Sequence, residues 1–147
     1  MVLNLHLDAF PNDSDVMARQ VSQLDAVLTH LDKKSLLFVA GGDFNLLPPG
    51  QRLRLPSNEA AGYRQDTEIA PLYEKYQVVP SLTDVNGPMC STWFTHFPNT
   101  PGVTGPDRTI DYLVLSPRPR LLEARVRQHD TQKISDHLPV VAVLQLH

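Results

Sequence analysis

Apolar positions along this chain fall into two periods, and the period decides the element each segment predicts. Over residues 2–7, Leu3, Leu5 and Leu7 alternate with Asn4 and His6, the pattern of a half-buried strand, so His6 points away from the leucine face. Within residues 15–32, Met17, Val21, Leu24, Leu28 and Leu31 recur at steps of four, three, four and three, which is one stripe of a helix. Asp13 or Ser14 can cap that helix, and Lys33 and Lys34 bring cations to its negative end. A second apolar run, Leu36 to Ala40, stops at Gly41-Gly42 and delivers Asp43-Phe44-Asn45. It reads as a strand covered on both faces, with an extended end that sets Asp43 and Asn45 on one side and Phe44 on the other. Strand, helix and strand with short joins make a crossover unit, so the two strands are expected to be parallel neighbours. His6 and Asp43 then approach the same end of one sheet.

After Asn45 the pattern loosens, and residues 46–67 read as a long surface connection. Pro71 to Tyr76 predicts a short helix, with Thr67 or Asp66 near its start and Pro71 tolerated in the first turn. From Val78 to Pro106 the chain is punctuated by prolines and carries Thr92-Trp93-Phe94-Thr95-His96-Phe97, a combination suited to a loop that faces a ligand. Thr109 to Leu115 is a strong strand in which Asp111 interrupts an apolar run, and a buried carboxylate needs a partner. Leu122, Ala124 and Val126 alternate with Glu123, Arg125 and Arg127 to predict a strand with one wet face. Ser135-Asp136-His137-Leu138-Pro139 is a polar turn entering a last strand, Val140 to Leu144.

Composition narrows the class without choosing a function. At 147 residues, 41% hydrophobic and 20% charged, the chain has one domain's worth of material for a core. Thirteen basic against sixteen acidic residues give no overall charge for wrapping a nucleic acid. The single cysteine, Cys90, excludes an internal disulfide framework and a multi-cysteine zinc site. No membrane-length apolar run and no signal peptide is visible, which fits a cytoplasmic setting.

Four polar islands stand at strand ends: His6, Asp43 with Asn45, Asp111, and Asp136 with His137. Taken singly, each is ordinary turn chemistry. Their order and spacing resemble the endonuclease/exonuclease/phosphatase superfamily, which includes DNase I, exonuclease III, neutral sphingomyelinases and inositol polyphosphate 5-phosphatases. Asn4-Leu5-His6-Leu7 looks like its N-x-H-L strand, Gly42-Asp43-Phe44-Asn45 like G-D-F-N, Ile110-Asp111-Tyr112 like I-D-Y, and Ser135-Asp136-His137-Leu138-Pro139 like S-D-H-x-P. The resemblance implies an α/β fold of the DNase I-like type, a two-sheet α-β-β-α sandwich with a mixed sheet and flanking helices. It also implies a metal-dependent hydrolase, with Mg2+ or alternatively Mn2+, that cleaves a phosphoester by in-line attack of water.

The implied roles make chemical sense. Asp43 orients and deprotonates water, and Asn45 donates to a nonbridging phosphate oxygen. His137, its tautomer set by Asp111, stabilises or protonates the phosphoryl group, and His6 is a second donor. Asp136 is the metal-facing carboxylate, since oxygen ligands suit magnesium. Asn4 and Trp93 are candidate substrate contacts. The substrate class stays open among nucleic acid, phospholipid and inositol phosphate.

One departure stands beside these matches. Upstream of N-x-H-L the family carries an asparagine and a Q-E motif whose glutamate is the principal metal ligand, and this chain has neither. Residues 1–147 are therefore expected to be a single domain corresponding to the C-terminal portion of the fold, weakly active or inactive alone. Such a portion is also expected to associate with another copy or with the missing half through an uncovered apolar face. The main rival is a non-catalytic interaction module. A serine hydrolase built on Ser135 fails because no G-x-S-x-G elbow occurs, and a dinuclear site on His6 and Asp8 fails for want of a second histidine pair.

Overall fold

The computed structural model describes residues 1–9, 14–98 and 101–146. Strands β1 (Val2–His6), β2 (Val39–Asp43), β3 (Gln77–Val79) and β4 (Asp111–Leu115) form one mixed sheet in the order β1-β2-β4-β3. β1 and β2 are parallel, as the crossover pattern predicts, and their register sets His6 directly opposite Asp43. β4 runs antiparallel to β2, placing Asp111 opposite Asp43 as well. Two registers thus bring three polar residues, His6, Asp43 and Asp111, to one end of the sheet. β5 (Arg120–Val126) and β6 (Val140–Gln145) pair as a separate antiparallel sheet. This α/β, two-sheet arrangement with helices is the architecture the resemblance implies.

Helix α1 (Val16–Lys33) covers one face of the four-stranded sheet. All five residues of its predicted stripe are buried, and Leu3 and Leu5 of β1 pack against the same core as Phe38, Ala40 and Val114. The helix starts at Asp15, which makes no side-chain capping bond, while Ser14 Oγ only reaches the Val16 N–H at 3.5 Å. The alternative cap, Asp13, and most of the turn around it lie outside the described residues.

β2 differs from its sequence reading in register. The strand does not stop at the glycines but runs through them to Asp43, while Leu36 is left exposed beyond a turn at Ser35. The glycines permit this, because a Cβ on Gly42 (φ +142) would lie 1.9 Å from the Leu5 carbonyl oxygen. Nor is β2 covered evenly, since Ala40 is buried while Val39 and Gly41 on the alternate face are half-exposed. An apolar hollow of about 370 Å³ opens on that side between Val2, Leu37, Val39, Pro119, Ala142 and Leu144.

The stretch 46–67 runs over the surface for much of its length, as expected, but is anchored at buried points. Leu46, Leu47 and Gln51 are buried, with a 3-10 turn at Gln51–Arg54 and a short helix α2 at Ser57–Ala60. Side chains hold it in place of periodicity. Gln51 Oε1 accepts from the Thr109 N–H at 2.8 Å and its Nε2 donates to Thr109 Oγ1 at 3.2 Å. Helix α3 (Ala70–Lys75) takes Pro71 in its first turn, as predicted. Helix α4 (Leu82–Asn86) opens on a Ser81–Asp84 capping box. Among the described residues no helix is long and apolar enough to cross a membrane.

Candidate functional site

The ends of β1, β2 and β4 are tied together before any side chain acts. The Leu7 N–H donates to the Asp43 carbonyl at 2.9 Å, and the Phe44 N–H donates to the Ile110 carbonyl at 2.9 Å. At Asn45 the chain turns into the left-handed region (φ 52), which asparagine tolerates better than most residues. The extended Asp43-Phe44-Asn45 expected from sequence is therefore corrected. Asn45 folds back so that its N–H donates to Asp43 Oδ1 at 2.8 Å and its Nδ2 donates to the Leu7 carbonyl at 3.0 Å. Phe44 is fully buried against Tyr112, edge to face at 5.4 Å.

His137 reaches the site from the turn before β6, held there by the short extended segment around His96. The Leu138 N–H donates to the Thr95 carbonyl and the Phe97 N–H to the Asp136 carbonyl, both at 2.7 Å. Thr95 Oγ1 in turn accepts the N–H groups of Ile110 and Asp111, each at 3.0 Å. Ser135 also has a local task, its Oγ accepting the His137 N–H at 3.0 Å, and nothing about it resembles an activated nucleophile.

The resulting constellation is compact. His137 Nδ1 lies 3.0 and 3.1 Å from the two carboxylate oxygens of Asp111. Asp43 Oδ2 lies 3.8 Å from His137 Nε2 and 3.5 Å from His6 Nε2. The hydrogen bond to Asp111 outweighs burial and, with the charges of Asp111, Asp43 and Asp136, pushes the His137 pKa up to about 9. Burial and the neighbouring Asp111 charge raise the Asp43 carboxyl above its ordinary range, against the Asn45 N–H and both imidazoles. Two carboxylates and two imidazoles with these environments form an acid-base set.

A cleft of about 320 Å³ opens beside this set, floored by Asn45, Ile110 and His137 and walled by Tyr63, Glu59, His96 and Arg108. Its far wall is a second His–Asp pair. His96 Nδ1 is 3.0 Å from Asp107 Oδ1, and the His96 ring meets His137 edge on at 5.8 Å. Arg108 engages Asp107 and Glu59 and sits over the Tyr63 ring, 5.9 Å from its centre. Burial raises the Asp107 pKa, but His96 and Arg108 outweigh it and hold the carboxyl down at about 2.

The structure thus brings together His6, Asp43, Asn45, Asp111 and His137 from four separate segments. It does not bring in the other three candidates. Asn4 is exposed on β1, on the same side as His6. Trp93 contributes its carbonyl to Thr109 Oγ1 and is absent from the cleft lining. Asp136 is exposed beside His137 and lies outside the one potential metal-holding group found among the described residues, whose ligand atoms on Asp43, Asp111 and His137 fall within 4.8 Å of one another. Sequence reasoning missed Tyr63, Glu59, His96 and Arg108 as a wall. His96 was visible inside the proline-rich aromatic loop, but Glu59 and Tyr63 stand in a stretch with no periodicity to flag them.

Comparison with known proteins agrees with this geometry. The sequence model of the Endonuclease/Exonuclease/phosphatase family matches residues 4–137, from the start of β1 to His137. No curated protein and no solved structure matches the chain. A match running through every segment that supplies the acid-base set shows the lineage: this chain belongs to the endonuclease/exonuclease/phosphatase family, a generally hydrolytic family that typically depends on a divalent metal.

Proposed function

We propose that this chain carries the acid-base machinery of a metal-dependent phosphoester hydrolase, nuclease or phosphatase, working by in-line attack of water. The observation that supports this reading best is the placement of Asp43 Oδ2 between two imidazoles, 3.5 Å from His6 and 3.8 Å from His137. Asp43 takes a proton from water as the water oxygen bonds to phosphorus and the bond to the leaving oxygen breaks. Its carboxyl is suited to this because its raised pKa makes it a better base than a free aspartate. His137, a cation at neutral pH, faces the charge gathering on the phosphoryl oxygens, and Asp111 keeps its Nδ1 proton and ring orientation fixed. Asn45 spends one amide N–H on the Leu7 carbonyl, which leaves the other to donate to a nonbridging oxygen. His6, largely exposed, can return a proton to the leaving oxygen.

The donor set fits a hard cation better than zinc. His137 as an imidazolium has no lone pair to offer, whereas the other two members of the group, Asp43 and Asp111, offer carboxylate oxygens. These two would hold Mg2+ or Mn2+, which would neutralise charge on the bound phosphate. The test pairs binding with turnover. Inorganic phosphate should shift the NMR signals of His6 and His137, and cleavage of bis(p-nitrophenyl) phosphate in Mg2+ should be lost in Asp43→Asn and His137→Gln. Phosphate that leaves both imidazoles unmoved, or cleavage that neither substitution lowers, overturns the reading.

A further inference from the structure

We propose that the cleft walled by His96, Glu59, Arg108 and Tyr63 is a subsite for an uncharged, hydroxyl-bearing group of sugar size esterified to the phosphate, and that it selects against a second phosphate there. The inference rests on the phosphoester reading above and narrows its substrate class.

Location comes first. Asn45 and His137 belong to both the acid-base set and the cleft floor, so a group esterified to a phosphate at that set extends into the cleft. A volume of about 320 Å³ lies at the small end of ligand sites, which begin at about 300 Å³, and suits a single ring. Charge comes second. Arg108 is shared between two carboxylates of this wall, with Nε and Nη2 donating to Asp107 and Nη2 also to Glu59. Its side chain is only 12% exposed, so it cannot swing free without leaving two carboxylates unpaired. A phosphate entering here meets two carboxylates around one guanidinium whose Nε and Nη2 already serve them.

Hydrogen-bond polarity points the same way. In the neutral imidazole, donation of Nδ1–H to Asp107 leaves Nε2 of His96 with a lone pair, and Arg108 takes Oε2 of Glu59 and leaves Oε1. Both are acceptors. A hydroxyl has a proton to give them, and a phosphate dianion has none. The half-buried Tyr63 ring offers an apolar face to a sugar ring.

Binding of three probes to the whole chain tests this, read by titration calorimetry and by the His137 NMR signal: inorganic phosphate, ribose 5-phosphate and ribose 1,5-bisphosphate. Two added hydrogen bonds should make ribose 5-phosphate bind about tenfold tighter than inorganic phosphate, with the bisphosphate weaker than the monophosphate. In Glu59→Gln, and separately in His96→Phe, the ratio of ribose 5-phosphate to phosphate affinity should fall toward one. Glu59→Lys should reverse the order of the mono- and bisphosphate. Tighter bisphosphate binding by the unsubstituted chain, or phosphate binding with no gain from the ribose, overturns the subsite alone. If no probe moves the His137 signal, the phosphoester reading fails and the subsite fails with it.

Discussion

Gly42→Ala is expected to be among the most damaging single-methyl additions in the chain, and its cost follows from two separable causes. The residue sits at φ +142, where an L side chain costs about 1–3 kcal/mol. The added Cβ would also stand 1.9 Å from the Leu5 carbonyl oxygen, with the rest of the Leu5 backbone behind it. Relief requires β1 to back away by more than ~1 Å, which is too far for good N–H···O geometry, so about two ladder hydrogen bonds weaken at ~1 kcal/mol each. Alanine's smaller unfolded-state entropy returns only about 0.5 kcal/mol, and the net loss is about 3–4 kcal/mol. Gly102→Ala is the control. It has a positive φ of 90 but no atom of the described residues within 4 Å of the new Cβ, so only the backbone cost of about 1 kcal/mol applies. In urea, at a slope of about 1.5 kcal/mol/M, the midpoint should fall by about 2 M for Gly42→Ala and by less than ~1 M for Gly102→Ala. The first variant should also lose the phosphate-induced shift of His6, because β1 carries His6 away from Asp43. Equal midpoint losses in the two variants would refute the steric argument.

Three further outcomes are expected. Asp111→Asn should bring the His137 pKa down from about 9 by removing the hydrogen bond that raises it. The dyad's contribution to stability in the unsubstituted chain is complete below pH 6.5 and is lost as pH rises through about 9. Because His137 is 35% exposed, solvent screening holds that contribution to about 1–2 kcal/mol. Urea unfolding across this pH range with a chelator present reads it, and a pH-independent gap between the two proteins would sink it. Gln51→Leu should cost about 2 kcal/mol by stranding the buried Thr109 N–H, and a midpoint within error of the parent would show that the bond is dispensable. Finally, the apolar hollow beside Val39, Ala142 and Leu144 should bind an apolar dye and promote association at micromolar concentration. Light scattering from a dye-silent monomer would count against it.

Much of the fold could be read from periodicity because the elements bearing the site are long or strictly patterned. The α1 stripe from Met17 to Leu31 is a clean 3.6-residue period, and the parallel pairing of β1 with β2 follows from the short joins around it. What could not be read depends on single contacts. β3 is three residues long, too short for any period, and stays in place through its pairing with β4. The 46–67 stretch is ordered by polar side chains such as Gln51 and Thr67, whose partners lie far off in sequence. The same division holds at the site. His6, Asp43, Asp111 and His137 stand at the ends of patterned strands, whereas Glu59 and Tyr63 enter through irregular chain.

The tie between Asp111 and His137 closes a loop of 26 residues, and Asn45 clasps Leu7 across 38. Each closure must meet its entropic cost before the contact rewards it, so such contacts form late during folding. The active constellation consequently requires the registers of β1 with β2 and of β2 with β4, which set His6 and Asp111 opposite Asp43. An elevated His137 titration during refolding would mark the docking of the His137 turn against β4, and chains in which that turn is undocked would carry every residue of the site while having no site at all.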